Sequence, residues 1–298
     1  MKTKVIVTGG AGFIGSNLVR ELVKKNFDVH VIDNLTAGKK EAVHPSAALH
    51  VVDVRNLSDI DPIFVGAKYV FHLAALPRVQ YSIEHPEETN DINVNGTLNV
   101  LIASQKAGVK KFVYSASGSA YGDQEIMPLR EDLPASPKSP YGLQKYIGEL
   151  MSRVWSEVYG LPTVSLRYFN VYGPGQSEEG AYALVIAKFL KQKREGTPLT
   201  ITGDGEQTRD FTSVHDVVRA NLLAAENENA DTKNGGVFNI GAGNNHSVNN
   251  VAKLIGGKAI HVPERFEPKH SLADNSKARK ILGWEPSVSL EEGIKELL

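Results

Sequence analysis

Cysteine is absent from the 298 residues. Its absence excludes a disulfide framework, a thiol nucleophile and a cysteine-ligated metal. An excess of charge is missing as well, because 33 Lys and Arg stand against 34 Asp and Glu for a formal net charge of −1. Such a chain has no basic field for nucleic acid, and none is expected as a partner. No apolar run nears the roughly 20 residues of a bilayer-spanning helix, so no membrane partner is expected either. The basic start Met1-Lys2-Thr3-Lys4 is followed by only Val5-Ile6-Val7 before polar and glycine residues. That stretch is too short for a secretory signal, and a cytoplasmic location is the expectation. Histidines do not cluster: His72, His215 and His270 stand apart, and no metal is expected. Internal repeats and low-complexity segments are lacking too.

What is present is an ordinary globular composition, 41% hydrophobic and 22% charged. It is enough to bury a large core in one compact body or two closely joined lobes. The run Gly9-Gly10-Ala11-Gly12-Phe13-Ile14-Gly15 follows the apolar Val5-Ile6-Val7 and opens a helical pattern, Leu18-Val19 then Leu22-Val23. Glycines suit a tight strand-to-helix turn where a pyrophosphate approaches bare backbone and helix amides face the anion. A second run, Asp28-Val29-His30-Val31-Ile32, ends at Asp33. That is about 20 residues beyond the glycines, where an acid binds a ribose 2′-hydroxyl and repels a 2′-phosphate. A bound dinucleotide is expected, NAD rather than NADP.

Further β-like runs follow at Leu49–Asp53, Tyr69–Leu73, Phe112–Ser115 and Thr163–Arg167, separated mostly by amphipathic segments. This alternation predicts an α/β fold with a parallel sheet covered by helices on both faces and ligands at the carboxyl ends of the strands. Asp33, Asp53, His72, Ser115 to Ser117 and Asn170 should line one crevice. Beyond Tyr172 the elements shorten around Gly173-Pro174-Gly175-Gln176, Gly203-Asp204-Gly205 and Gly241-Ala242-Gly243. We expect residues 1–170 to form the cofactor domain, with segments near 210–240 returning to it, and 171–298 mainly a smaller substrate lobe.

Ser139-Pro140 is a helix entry, and Leu143, Ile147, Leu150, Met151, Val154, Trp155 and Val158 recur at helical spacing. Tyr141 and Lys145 lie four apart on that helix. An ammonium beside a phenol favours the phenolate, which would make Tyr141 a base near neutral pH. The basic stretch Lys188, Lys191, Lys193 and Arg194 reads most simply as a solvated helix face, with weak attraction for a diphosphate as the alternative.

Taken in order along the chain, Thr8 to Gly15 (TGGAGFIG), Asp53-Val54-Arg55, His72-Leu73-Ala74-Ala75, Asn93-Val94-Asn95-Gly96-Thr97, Ser115-Ala116-Ser117 with Tyr121-Gly122, Pro140 to Lys145, Leu166 to Gly173, Arg209-Asp210-Phe211 and Ala273 to Lys277 resemble the extended short-chain dehydrogenases, and within them the nucleotide-sugar 4-epimerases. The resemblance covers essentially the whole chain. It implies a Rossmann-type doubly wound parallel sheet with a smaller C-terminal substrate lobe. Ser117, Tyr141 and Lys145 would be the catalytic set. NAD would be contacted by Gly9, Gly12, Phe13 and Ile14 at the pyrophosphate and by Asp33 and Asn34 at the adenosine ribose. Asp53 and Val54 would lie by the adenine, with Leu73, Ala74, Ala75 and Asn93 along the cofactor and Phe169, Tyr141 and Lys145 at the nicotinamide end.

The same resemblance implies a UDP-sugar substrate. Asn170 and Arg209 would hold the diphosphate and uridine, Ala183, Leu184, Thr200, Ile201 and Thr202 would line the nucleotide, and Ser117 and Tyr141 would meet the sugar. The family's Arg-x-Gly-acid segment corresponds here to Glu264-Arg265-Phe266-Glu267, in which phenylalanine replaces glycine and the arginine is displaced by one; Arg265 is the candidate phosphate ligand. Ala116 also departs from the serine found in many members. Ser271 stands where members restricted to glucose and galactose often carry tyrosine, and Gly180 to Val185 looks like the members that accept N-acetylated sugars. UDP-N-acetylglucosamine and UDP-N-acetylgalactosamine are the expected pair, with UDP-glucose and UDP-galactose alongside. A 4,6-dehydratase, a UDP-uronic acid decarboxylase and a non-catalytic NAD sensor are the competing readings. Family members commonly dimerise through the Tyr141 helix and the one before it, so a homodimer is expected.

Overall fold

The computed structural model describes residues 2–177, 184–263 and 269–298. In chain order the larger elements are β1 (Lys4–Thr8), α1 (Phe13–Lys24), β2 (Asp28–Ile32), β3 (Ala48–His50), α2 (Leu57–Phe64), β4 (Tyr69–His72), α3 (Val79–Glu84), α4 (Pro86–Asn90), α5 (Gly96–Lys106), β5 (Lys111–Ser117), α6 (Pro140–Tyr159) and β6 (Thr163–Tyr168). They continue with β7 (Val171–Tyr172), α7 (Val185–Arg194), β8 (Leu199–Thr202), β9 (Thr208–Asp210), β10 (Thr212–Ser213), α8 (Val214–Glu226), β11 (Asn234–Ile240), β12 (Asn245–Ser247), α9 (Val248–Ile255), β13 (Ala259–Val262) and α10 (Leu290–Leu297).

Side-chain alternation explains the layering. On β1, Val5 and Val7 pack into one core while Ile6 packs into another. A strand that is apolar at every position must be covered on both faces. Leu18, Val19 and Leu22 of α1 and Val214, Val217 and Val218 of α8 cover the first face. Ile60 and Phe64 of α2, Val100 and Leu101 of α5, and Met151 and Trp155 of α6 cover the second. The Ser139 hydroxyl caps α6 by accepting the Gly142 N–H at 3.1 Å, Pro140 occupies the first turn, and Gly160 ends the helix at φ +68°.

The sheet has seven strands in the order β3-β2-β1-β4-β5-β6-β11, and each neighbouring pair is parallel. From β1 the chain runs outward to β3 and then crosses back to β4. That reversal opens a crevice at the carboxyl ends of β1 and β4, where Thr8 stands level with Ile32 and His72. The β3 strand is shorter than the expected Leu49–Asp53 run. The Val52 N–H turns back to the His50 carbonyl at 3.1 Å, and the Arg55 N–H closes onto Asp53 Oδ1 at 2.9 Å, so the chain leaves the ladder after His50.

A separate core of Ile186, Phe189, Leu199, Ile201, Val251, Ile255 and Ile294 joins α7, α9 and α10 to β8, which pairs with β13. In this lobe β9 pairs antiparallel with β12 and sets Arg209 opposite His246. The last segments return to the sheet, where Ala278, Leu282 and fully buried Trp284 join the core under α8.

Candidate active site and cofactor cleft

The glycine turn is built for contact with backbone. Gly9 has φ +72°, and a Cβ there would lie 2.7 Å from the Ala74 nitrogen; one on Gly15 would overlap the Gly9 carbonyl oxygen. The turn closes through Gly12 N–H to Gly9 O at 3.1 Å. Helix α1 then starts at Phe13, with Gly12 at its N-cap offering no side-chain cap and no acid in the first turn. Its leading amides, at Phe13 and Ile14, therefore stay available to an anion. Asp33, 9% exposed, accepts the Ala11 N–H on Oδ2 and the Leu35 N–H on Oδ1, both at 2.9 Å. Its carboxylate thus fixes the glycine turn while still facing the crevice with spare lone pairs.

Asn34 donates to Asp53 Oδ2 at 2.8 Å, and the Arg55 guanidinium forks onto the same carboxylate at 3.0 and 2.9 Å. Those charge-assisted bonds hold the Asp53 carboxyl down at about 2. Arg55 also reaches Asp91 at 3.2 Å. The sequence spacing of Arg55 from Asp91 carries no sign of this clamp. Val54 is buried beneath Gly96, leaving no room there for a Cβ.

Leu73, Ala74 and Ala75 leave β4 half-buried along the crevice. Behind them runs a buried polar chain. The Thr97 hydroxyl donates to the Asn93 carbonyl at 2.6 Å and so accepts from His72 Nε2 at 2.8 Å. That puts the imidazole proton on Nε2 and leaves Nδ1 to accept from the Thr8 hydroxyl at 2.7 Å. Thr8 Oγ1 in turn accepts the Ala74 N–H at 3.2 Å. Burial pushes His72 down to about 3, which keeps the ring neutral. Asn93 uses its side chain within the fold: Oδ1 accepts the Leu76 N–H at 2.8 Å, and Nδ2 donates to Gln144 Oε1 at 2.8 Å. It stands behind the cleft wall, 1% exposed.

Ser117 ends β5 and Tyr141 opens α6. The Ser117 side chain beside the Tyr141 phenol draws its pKa down, yet burial pushes it up to about 12. The Ser117 hydroxyl donates to Ser119 Oγ at 3.0 Å and accepts the Ser119 N–H at 3.1 Å. Lys145 is 4% exposed and directs its amine to the Ser115 carbonyl at 2.7 Å, with the Tyr114 ring 5.1 Å away. Burial lowers this amine to about 7. The sequence expectation ran the other way, with an ammonium drawing the phenol down. Desolvation exceeds it, since the amine is aimed at a carbonyl rather than at the phenol. Phe169 packs its ring against Gly118, where a Cβ would sit 3.1 Å from it.

A cavity among β7, α7, β8 and β9 is lined by Asn170, Leu184, Thr200, Thr202 and Arg209 together with Tyr172, Gln176, Lys188, Gln207 and Phe211. Alternation along β8 turns Thr200 and Thr202 toward this space and Ile201 into the lobe core, so Ile201 is a packing residue here rather than a lining one. Lys188 also enters the lining, so the basic face of α7 is not wholly a solvated surface. Arg209 Nη1 donates to the Thr208 carbonyl at 2.9 Å, and the Ser271 N–H reaches that same carbonyl at 3.2 Å. Buried Asp210 gathers the amides of Ala242, Gly243 and Ala273 at 2.7, 3.0 and 3.0 Å. Burial pushes its carboxyl up to about 6 against the pull of those amides. Ala183 and Arg265 lie outside the described residues, as does most of the Gly180 to Val185 segment.

A strand, a glycine turn, an uncapped helix and an acid at the next strand end stand in one sheet with the strand that carries Ser117, an arrangement known proteins share. Residues 5–241 match the NAD dependent epimerase/dehydratase family. The chain belongs to that family. NAD is accordingly its cofactor, and the glycine cradle and uncapped α1 fit a dinucleotide pyrophosphate. Among family members, a UDP-glucose 4-epimerase of Mycolicibacterium smegmatis is 34% identical over 305 residues, covering 98% of this chain and 96% of that one. The crystal structure of UDP-glucose 4-epimerase from Thermotoga maritima with UDP-glucose is 40% identical with a TM-score of 0.94, covering 99% and 97%. A UDP-N-acetylglucosamine 4-epimerase from Methanobrevibacter ruminantium, in complex with UDP-N-acetylmuramic acid, is 37% identical with a TM-score of 0.93, covering 99% and 98%.

Proposed function

We propose that this enzyme is a UDP-hexose 4-epimerase that interconverts UDP-N-acetylglucosamine and UDP-N-acetylgalactosamine, and UDP-glucose and UDP-galactose alongside. The observation that carries the reading is the join between β5 and α6: the Ser117 side chain lies beside the Tyr141 phenol and acts on its acidity, and Lys145 is buried one helical turn on. Tyr141, in its phenolate form, takes the proton of the sugar 4-hydroxyl, Ser117 bonds the same oxygen, and Lys145 holds the nicotinamide ribose. NAD, held at the glycine turn and by Lys145, would supply a reversible hydride acceptor for carbon 4, so that the 4-keto sugar could be reduced on its opposite face. The result is inversion without net oxidation.

A 4,6-dehydratase needs an acid beside the catalytic hydroxyl to expel water, and Gly118, Ser119 and Ala120 supply none. Ser271 supports the acetamido pair, because a small side chain beside the Arg209 strand leaves room where a tyrosine would not. Arg209 and Asn170 suit a diphosphate at the cavity mouth. Exposed Val154, Val158 and Tyr159 on α6 support a homodimer built on that helix. The test is NMR of the purified enzyme with each UDP-sugar and no added NAD, with mass analysis of the ligand released on denaturation. Interconversion at carbon 4 with retained NAD is expected. A stoichiometric need for added NAD, or a product lighter by water or carbon dioxide, contradicts the reading.

A further inference from the structure

The first turn of α6 presents N–H groups that have no acceptor within the helix. Pro140 has no N–H to offer. Gly142 donates to the Ser139 hydroxyl at 3.1 Å and Leu143 to the Ser139 carbonyl at 3.0 Å. The remaining donor is the N–H of Tyr141 itself, and it goes to the Ser82 hydroxyl at 3.0 Å, across a sequence separation of 59 residues. Ser82 lies on α3, is fully buried, and donates its own proton to the Val79 carbonyl at 2.6 Å. The hydroxyl is therefore fixed in both directions, its proton toward Val79 and its lone pair toward Tyr141.

The same excursion between β4 and α5 grips α6 a second time one turn further on. Gln144, 3% exposed, accepts from Asn93 through Oε1 at 2.8 Å and donates to Thr89 Oγ1 through Nε2 at 3.0 Å. On the opposite side the helix start presses against the Ser117–Ser119 turn, since a Cβ on Gly142 would lie 2.8 Å from the Ser119 carbonyl oxygen. The Tyr141 backbone is thus held between α3 and the strand end that carries Ser117.

We propose that Ser82 is a positioning residue for Tyr141: its hydroxyl fixes the backbone from which the phenol reaches Ser117 and the sugar oxygen. The proposal rests on the reading of Tyr141 as the base. A misplacement of about 1 Å costs on the order of 100-fold in rate, so the loss of this one bond should appear in turnover rather than in binding.

The test uses the NAD-loaded enzyme at a temperature where each variant is folded. Ser82→Ala should lower kcat about tenfold or more while leaving KM for the UDP-sugar and the retained NAD unchanged, and Ser82→Thr, which keeps the hydroxyl, should restore it. If Ser82→Ala does not fold, Ser82→Cys, of similar size but a weak acceptor, is read in the same way. A folded Ser82→Ala enzyme with kcat within about twofold of the parent overturns the proposal, as does a loss shared equally by KM and NAD content, which is general loosening of the cleft. Tyr141→Phe separates the two claims. An active Tyr141→Phe enzyme removes the base assignment, whereas an inactive one beside an unaffected Ser82→Ala enzyme removes only the role of Ser82.

Discussion

The glycine turn proposed as the cofactor cradle and the Ser117–Tyr141–Lys145 trio proposed as the catalytic set are built on opposite electrostatic terms. In the cradle, buried polar groups are answered by protein: Asp33 by two amides, His72 by two hydroxyls, Asp53 by a guanidinium fork. In the trio, burial pushes Tyr141 up to about 12 and Lys145 down to about 7, and no carboxylate answers the amine among the described residues. The cradle's carboxylates and imidazole are already partnered within the protein, while the leading amides of α1 are not. The trio is desolvated without a charged partner in the protein, and what binds it completes it. An active site held against its own preferred protonation trades stability for function, and the two regions should respond differently to substitution.

Tyr141→Phe separates them most sharply. It should reduce kcat by about 10³-fold, within the range of general acid–base catalysis, and leave NAD retention intact. An NMR time course with mass analysis of the released cofactor reads both. Gly15→Ala should give the opposite pattern, with NAD lost on gel filtration and turnover restored only by excess NAD. Its Cβ would overlap the Gly9 carbonyl oxygen, and overpacking of this kind costs about 1–3 kcal/mol. Asp33→Asn should weaken NAD by about 10- to 100-fold and narrow the preference over NADP, because amides at Ala11 and Leu35 lose a charged acceptor worth roughly 1.5–3 kcal/mol. Calorimetric titration of the apoprotein with each dinucleotide measures it. If the cradle variants lose turnover while keeping NAD, the contrast between the regions fails.

Lys145→Met gives a smaller, pH-dependent effect. The folded-state value of Lys145, about 7, lies below its ordinary 10.5. Between those values the unfolded chain binds the extra proton, so stability rises with pH across the window and is lost as pH falls through 7. Denaturant unfolding of the NAD-free protein from pH 6 to 10 should show this rise in the parent and not in Lys145→Met, an inactive variant that is at least as stable at pH 6. A parallel pair of curves would mean that the amine is not desolvated at a cost. Ser271→Tyr should act on neither region and reduce turnover of the acetamido sugars relative to glucose and galactose, which paired kinetics would show.

The contrast also explains what the sequence made legible. Glycine spacing, the acid at the second strand end and the Ser139-Pro140 helix entry are local rules, and β1, α1, β2 and α6 follow them closely. Apolar alternation foretold the doubly covered sheet. The Leu49–Asp53 strand ended early because side-chain turns at Asp53 compete with the ladder, a contest that apolar pattern does not register. Ser82, Gln144 and the Thr8–His72–Thr97 chain were not read as partners, because hydroxyl and amide pairs 25 to 66 residues apart leave no local spacing. The direction of the Tyr141 shift was misjudged for a related reason: helix spacing places two side chains on one face but does not say how dry that face is.

The central claim is that one hydride leaves carbon 4 and returns to it within a closed site. A UDP-N-acetylglucosamine carrying deuterium at carbon 4, incubated in ordinary water with the purified enzyme and no added NAD, tests it directly. The account predicts UDP-N-acetylgalactosamine with the deuterium retained at carbon 4. Epimerised product that has exchanged its deuterium for solvent hydrogen would contradict it.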